Sequence, residues 1–320
     1  MPRTNKKKTI LLTGGSGFIG SNLIPYLLSD GDKVICLDNL STGSINNIES
    51  FLDHKDFEFI EHDICHAFKL DEHIDQIYNL ASLASPIHYQ SNPIQTTKTA
   101  VIGAYNMLEL AHQHNSVILQ ASTSEVYGDP ETHPQKEEYW GNVNPVGIRS
   151  CYDEGKRCAE SLFFDFWREK GVKIKVARIF NTFGPKMQEN DGRVVSNFIV
   201  QALKNIPITI YGKGTQTRAF CYVEDMAKGL KLLMNSTDDI IGPINLGSTV
   251  EYQVFQLAEK VIKKTGSHSK VIFEALPEDD PVKRLPDITK ANDLLNWKPK
   301  VDIDLGLNKT IDFFKEIIVK

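Results

Sequence analysis

TILLTGGSGFIG, residues 9–20, is the stretch whose reading decides the fold. Thr9–Thr13 is short, apolar and β-branched, the pattern of a buried strand. Glycines then follow at 14, 17 and 20, where a helical pattern opens. Such a loop needs a tight turn, a backbone that can approach a pyrophosphate, and close helix–strand packing. The helix start adds amide donors for the anion. With 21 glycines in 320 residues, this spacing arises by chance only about 0.09 times. Asp38 ends the next strand pattern, Lys33–Asp38, 18 residues after Gly20. A carboxylate there accepts from a ribose 2′-hydroxyl and repels a 2′-phosphate, so NAD is expected rather than NADP. Asp63 follows a third strand pattern, where contact with an adenine and simple turn capping are both open readings. Phe18, Ile19, Asn39, Ile64, Leu80 and Ala81 complete the expected cofactor site.

Outward from that loop, Phe57–Asp63, Gln76–Ala81, Ser116–Ser122 and Lys173–Phe180 read as further strands. Helical patterns separate most of them, most clearly over Asn92–His114 and Tyr152–Glu169. Strands alternating with crossover helices imply an α/β fold, a Rossmann-type doubly wound parallel sheet. Pro25, inside the first helical pattern, should kink that helix or shift its start. Beyond residue 180 the pattern becomes irregular, with helices expected over Arg193–Lys204, Val223–Asn235, Thr289–Asn296 and Asp304–Ile318. Leu276–Pro286, with three prolines and several charges, reads as a functional loop or flap. The expected division is a cofactor domain over 1–180, to which 217–247 return, and a smaller discontinuous C-terminal substrate lobe over 181–216 and 248–320.

Composition narrows the class. Lys+Arg 36 against Asp+Glu 41 leaves a net charge of −5, without the basic excess of a nucleic-acid binder. No apolar run is long enough for a membrane span, and no signal-peptide core precedes the glycines. The five cysteines form no C-x-x-C pair, and the nine histidines no ligand cluster, so neither disulfides nor a metal site are expected. A cytoplasmic protein with free thiols is the expectation.

Tyr152 and Lys156 form Y-x-x-x-K, which puts both on one helix face. Alone the pair is uninformative, since 10 tyrosines and 28 lysines give about 0.9 chance occurrences. Its weight comes from the strand before it, whose last residue, Thr123, would open onto the cofactor crevice. Oxidising an alcohol needs a base for the hydroxyl proton. A phenol must fall by about 3 units from its ordinary value to serve at neutral pH, worth roughly 4 kcal/mol. Lys156 and an oxidised nicotinamide are expected to supply that, with Thr123 orienting the substrate oxygen.

These motifs, with Asn79-Leu80-Ala81-Ser82, resemble the extended short-chain dehydrogenase/reductases that act on nucleotide sugars. STSEVYGDP (122–130), YWGNVNP (139–145), RSCYDEGKR (149–157), ARIFNTFGP (177–185), NDGRVVSNFI (190–199) and QTRAFCYVED (216–225) narrow the resemblance to the UDP-glucuronate decarboxylases, the UDP-xylose synthase group. The resemblance implies a lyase cycle: NAD oxidises C4 of the sugar with Tyr152 as base, CO₂ leaves, and the retained NADH reduces the 4-keto pentose. Related 4,6-dehydratases have an Asp-Glu pair after this threonine; here Ser124 replaces the Asp and Glu125 remains. Glu125 would then deliver a proton at C5 or hold the distorted ring, unless it merely caps the next turn.

For the UDP moiety the resemblance implies Arg218 on the diphosphate, with Arg193, Val194, Asn181 and Tyr211 around it. Arg284 would take either the diphosphate or the sugar carboxylate. Ser85, Tyr89 and Ser124 would line the sugar pocket, where Ile87 and Leu83 depart from commoner family residues. It also implies a homodimer through a four-helix bundle of the Asn92–His114 and Tyr152–Glu169 helices. The rivals are a 4- or 5-epimerase or 4,6-dehydratase on another UDP-hexose, and a catalytically silent nucleotide-sugar sensor.

Overall fold

Seven parallel strands frame the computed structural model, which describes residues 7–276 and 283–318. They are β1 (Thr9–Thr13), β2 (Lys33–Asp38), β3 (Phe57–Glu61), β4 (Gln76–Asn79), β5 (Val117–Thr123), β6 (Lys173–Ile179) and β7 (Ile244–Leu246), in the order β7-β6-β5-β4-β1-β2-β3. The strand order reverses beside β1, where β2 lies on one side and β4 on the other. A crevice therefore opens at the carboxyl ends of β1 and β4, the usual ligand position in such sheets. Buried Asn79 holds these ends in line: Thr13 Oγ1 donates to its Oδ1 at 2.9 Å, and its Nδ2 donates to Gln120 Oε1 at 2.7 Å.

Helix α1 (Phe18–Ser29) packs on one face of the sheet with the helices Val223–Met234 and Thr289–Leu295, burying Leu23, Ile24, Leu27, Met226, Leu230 and Trp297. The other face is covered by Ala104–His114 and by α2 (Ser150–Lys170), through Met107, Leu108, Ala159 and Phe163. A third cluster of buried residues, around Phe198, Ile199, Leu257, Leu307 and Phe314, lies apart from these two.

The chain divides between these cores differently from the expected boundaries. Thr217–Ala219 pairs antiparallel with Glu251–Gln253 and parallel with Lys283–Arg284, so it belongs to the small lobe's sheet. Ala291, Leu295 and Trp297, expected in the small lobe, pack under the main sheet because Trp297 Nε1 donates to Asp225 O at 3.0 Å. Of the expected flap at 276–286, residues 277–282 lie outside the described residues.

Two helices differ from their sequence patterns. The single helix expected over 92–114 runs as Pro93–Lys98, a π-helical turn Thr99–Gly103, and Ala104–His114. That wider turn lies where Gly103 meets Ile64 so closely that a Cβ would sit 2.4 Å from its Cδ1. Helix α1 starts at Phe18 and contains Pro25, rather than beginning after it. Proline leaves the carbonyl four residues earlier without a helical donor; here that carbonyl, Ser21 O, accepts from Lys186 Nζ at 3.2 Å. Among the described residues no helix is long and apolar enough to cross a membrane.

The glycine spacing is a steric requirement. A Cβ on Gly20 would lie 2.4 Å from Gly14 O and 2.7 Å from Gly15 Cα, both backbone atoms. Gly20→Ala must push helix and loop apart, so it should cost about 2 kcal/mol or more in urea unfolding. Wild-type stability in that variant would show that the loop yields without strain.

Candidate active site

The glycine loop is preorganised for an anion. Gly17 caps α1 without a side-chain bond, and no acidic residue stands in the helix's first turn. The first amides are therefore left for a ligand, where the helix dipole favours negative charge. Gly14, at φ +67°, lies so close to Ala81 that a Cβ would be 2.8 Å from that backbone. Asp38 accepts from Ser16 N at 3.0 Å and Leu40 N at 2.9 Å, which fixes its carboxylate at the cavity edge. Ser16 Oγ is buried with no partner. These features fit the pyrophosphate and ribose of NAD. Asp63 accepts from Cys65 N at 2.8 Å and Asn39 Nδ2 at 3.1 Å, a turn-capping arrangement that still leaves it in the cavity wall beside Ile64.

At the end of β5, Thr123 Oγ1 accepts from Glu125 N at 3.2 Å and shares a hydrogen bond with Tyr152. Tyr152 and Lys156 project from α2, one turn apart. Tyr89 stacks on Tyr152, with ring centroids 5.0 Å apart and planes within 8°. The Tyr89 hydroxyl is buried without a partner. Lys156 Nζ donates to Ala121 O at 2.8 Å and lies 5.8 Å from the Tyr152 ring centroid. Burial pulls Lys156 down to about 8, against the opposing pull of Glu160.

Tyr152 shows what burial does before any cofactor charge is present. Burial pushes its phenol up to about 12, outweighing the Thr123 bond that favours the phenolate. The anticipated fall rests on Lys156 together with an oxidised nicotinamide, because a buried anion must be balanced by charge.

Glu125 is the most constrained group in the cavity wall. Arg284 binds it with both arms, Nη1 to Oε1 at 2.7 Å and Nη2 to Oε2 at 2.8 Å, while Arg149 Nη2 donates to Oε2. Burial would raise its pKa, but Arg284 and Arg149 prevail and hold the carboxyl below its ordinary range. Of the two roles expected for Glu125, this pairing with two guanidinium groups suits holding the ring and its charge better than delivering a proton at C5. Beneath it, burial and the charge of Glu125 push Asp153 up to about 7.

All the residues expected from the sequence to bind cofactor or substrate line one cavity of about 570 Å³, within the usual range for ligand sites. Arg218 and Arg284, 66 residues apart in the chain, are direct register partners on adjacent strands. Arg284 is engaged by Glu125, and Arg193 by Asp191, with Nη2 2.7 Å from Oδ2 and the guanidinium over the Phe18 ring. Arg149 and Lys186 carried no assigned role, yet both line the cavity. Arg149 had a readable signal, since it precedes Tyr152 by one helical turn. Lys186 had none.

Comparison with known proteins agrees with this geometry. The GDP-mannose 4,6 dehydratase family model matches residues 11–310. UDP-glucuronic acid decarboxylase 1 of Xenopus tropicalis is 52% identical over 310 residues, spanning 97% of this chain and 73% of that protein. UDP-glucuronic acid decarboxylase 5 of Arabidopsis thaliana is 52% identical, spanning 93% of this chain and 86% of that protein. The solved UDP-glucuronic acid 4-epimerase of Bacillus cereus, in complex with UDP-glucuronic acid and NAD, superposes with a TM-score of 0.89 at 28% identity, over 97% of this chain and 99% of its own. The fold and cofactor architecture are thus common to epimerases and decarboxylases, while the higher identity lies with the latter, and the chain belongs to the GDP-mannose 4,6 dehydratase family and, within it, to the UDP-glucuronic acid decarboxylases.

Proposed function

We propose that this chain converts UDP-glucuronate and a proton into UDP-xylose and CO₂, with NAD unchanged overall. The observation that carries the reading is Glu125, held ionised by two arginines in the cavity that also contains Tyr152. When bound, NAD⁺ supplies a hydride acceptor, a positive ring charge near the phenol, and the same hydride for the closing reduction.

Tyr152 takes the proton of the sugar's 4-hydroxyl as that carbon is oxidised, and returns it at the end. Thr123 holds the oxygen in line, and Lys156, anchored on Ala121 O, favours the phenolate. A ketone at C4 stands β to the carboxylate, so the electrons of the C5–C6 bond can flow into it as CO₂ leaves. A proton drawn from water then adds at C5. Glu125 fixes Arg284 and Arg149 so that their charge offsets the substrate's carboxylate, rather than supplying that proton itself. Ser124 and Ser85 face the same cavity, and the unpartnered Tyr89 hydroxyl awaits a sugar oxygen. Arg218, Arg193, Val194, Asn181 and Tyr211 would hold the UDP.

The division into a cofactor domain and a nucleotide-sugar lobe is part of this reading, and the separate hydrophobic cores support it. A homodimer through the 93–114 segment and α2 is supported by Ile94, Ile102, Tyr105 and Trp167, which stay exposed on these helices. Five free thiols support a cytoplasmic location.

Incubation with UDP-glucuronate and catalytic NAD, followed by proton NMR in deuterated water, should yield CO₂ and UDP-xylose carrying deuterium at C5. Deuterium at C5 without loss of CO₂ would make the chain an epimerase instead. Tyr152→Phe should retain bound NAD but lose turnover by about 10²–10⁴-fold; full activity would remove Tyr152 from its role.

Lys156 also gives a pH signature. It ordinarily titrates at 10.5 and in the folded, ligand-free protein at about 8. Between these values the unfolded chain binds a proton that the folded chain lacks, so stability rises with pH across that window. The gap corresponds to roughly 3 kcal/mol. Urea unfolding at pH 7.5 and 10.5 should show wild type gaining about that much relative to Lys156→Met. Parallel behaviour of the two proteins would refute it.

A further inference from the structure

Among the described residues, five non-glycine residues have positive φ. Three are asparagines, the residue type that enters this region most readily: Asn115 and Asn296 end helices, and Asn205 lies just beyond another. The other two, Leu40 at φ +56° and Lys186 at +71°, have no such excuse. Lys186 lines the cavity, coming from the segment after Phe183, and Leu40 donates its N–H to Asp38, which lines the same cavity at its glycine-loop end. Strain of this kind persists only where surrounding contacts enforce it, and it concentrates at functional sites.

The contacts that enforce it run between two walls of the cavity. Lys186 Nζ donates to Ser21 O at 3.2 Å, in α1, and to Asn47 O at 2.8 Å, and it lies 5.2 Å from the Phe51 ring centroid. Asn22 Nδ2 donates to Pro185 O at 3.0 Å, and Gln188 Nε2 to Thr42 O at 2.5 Å. Residues 185–188 are thereby stitched to α1 and to the 42–47 loop. An ammonium carries three hydrogens and no acceptor. Two are used by these carbonyls; the third meets no protein acceptor among the described residues, and Lys186 lines the cavity.

We propose that Lys186 and Gln188 form a strap that retains the dinucleotide, with the remaining N–H of Lys186 directed at its diphosphate. This inference rests on the reading of the chain as an NAD-dependent enzyme. A cycle that oxidises and then reduces the same sugar fails if the reduced cofactor escapes midway. A fastening at the glycine-loop end opposes escape without touching the sugar.

The test is the release rate of bound NADH from the full chain, followed by fluorescence after mixing with excess NAD⁺. Wild type that takes up no NADH would overturn the cofactor reading itself. Given uptake, Lys186→Met should release NADH about tenfold faster or more, the loss expected for a charge-assisted bond. Lys186→Arg, which keeps the cation, should stay within about threefold of wild type, and UDP affinity should be unchanged in both. Wild-type release from Lys186→Met would overturn the strap, as would a parallel loss of UDP affinity. If Lys186→Met does not fold, Gln188→Ala decides: release faster by about threefold supports the strap, and unchanged release refutes it.

Discussion

One buried carboxylate ties the site together. Glu125 lies just past β5, Arg149 at the start of α2, and Arg284 on a small-lobe strand, and the three charges meet away from water. Removing one partner of such a cluster leaves an uncompensated buried charge, typically costing 3–5 kcal/mol. The pairing therefore fixes where the small lobe sits against the sheet. It also fixes the charge facing the sugar. Gln135 reinforces the same junction from the side: its Oε1 accepts from Leu285 N at 2.8 Å, and its N donates to Leu285 O at 2.8 Å. The strand that carries Arg284 is thus held in register independently of the ion pair.

The groups proposed for catalysis are arranged so that the protein alone does not ionise the phenol. Tyr152 keeps its proton and Lys156 is partly desolvated, because both are shut away from water by Tyr89 and the end of β5. A phenol of this kind becomes a base only when positive charge is brought beside it. The same design suits epimerases and decarboxylases, which share oxidation at C4 and diverge afterwards. Against the 4,6-dehydratases, Ser124 in place of an acid and the guanidinium groups around Glu125 would favour departure of CO₂ over elimination of a hydroxyl.

Most of the fold was legible in the sequence because its signals are local. The strands Thr9–Thr13 and Lys33–Asp38 have the expected bounds, since β-branched runs closed by glycine and aspartate are unambiguous. The glycines, Tyr152 and Lys156 were legible for the same reason: their chemistry fixes their spacing. Charge pairing across long sequence distances was not. Nothing local indicates that Arg284 would be taken up by Glu125, or that Trp297 would cross to the main sheet's core. The strength with which burial opposes ionisation of Tyr152 was hidden too, because burial is a property of the folded cavity. Lys186 was invisible because its partner carbonyl exists only once Pro25 sits inside a helix.

The central claim is that one hydride leaves C4 and returns to it around a decarboxylation. The most direct measurement uses UDP-glucuronate labelled with deuterium at C4 and ¹³C in the carboxylate. The account predicts release of ¹³CO₂ and UDP-xylose that retains its deuterium at C4 over many turnovers. A product that keeps the ¹³C carboxylate, or a pentose whose C4 deuterium has been lost to solvent or to free NAD, would contradict it.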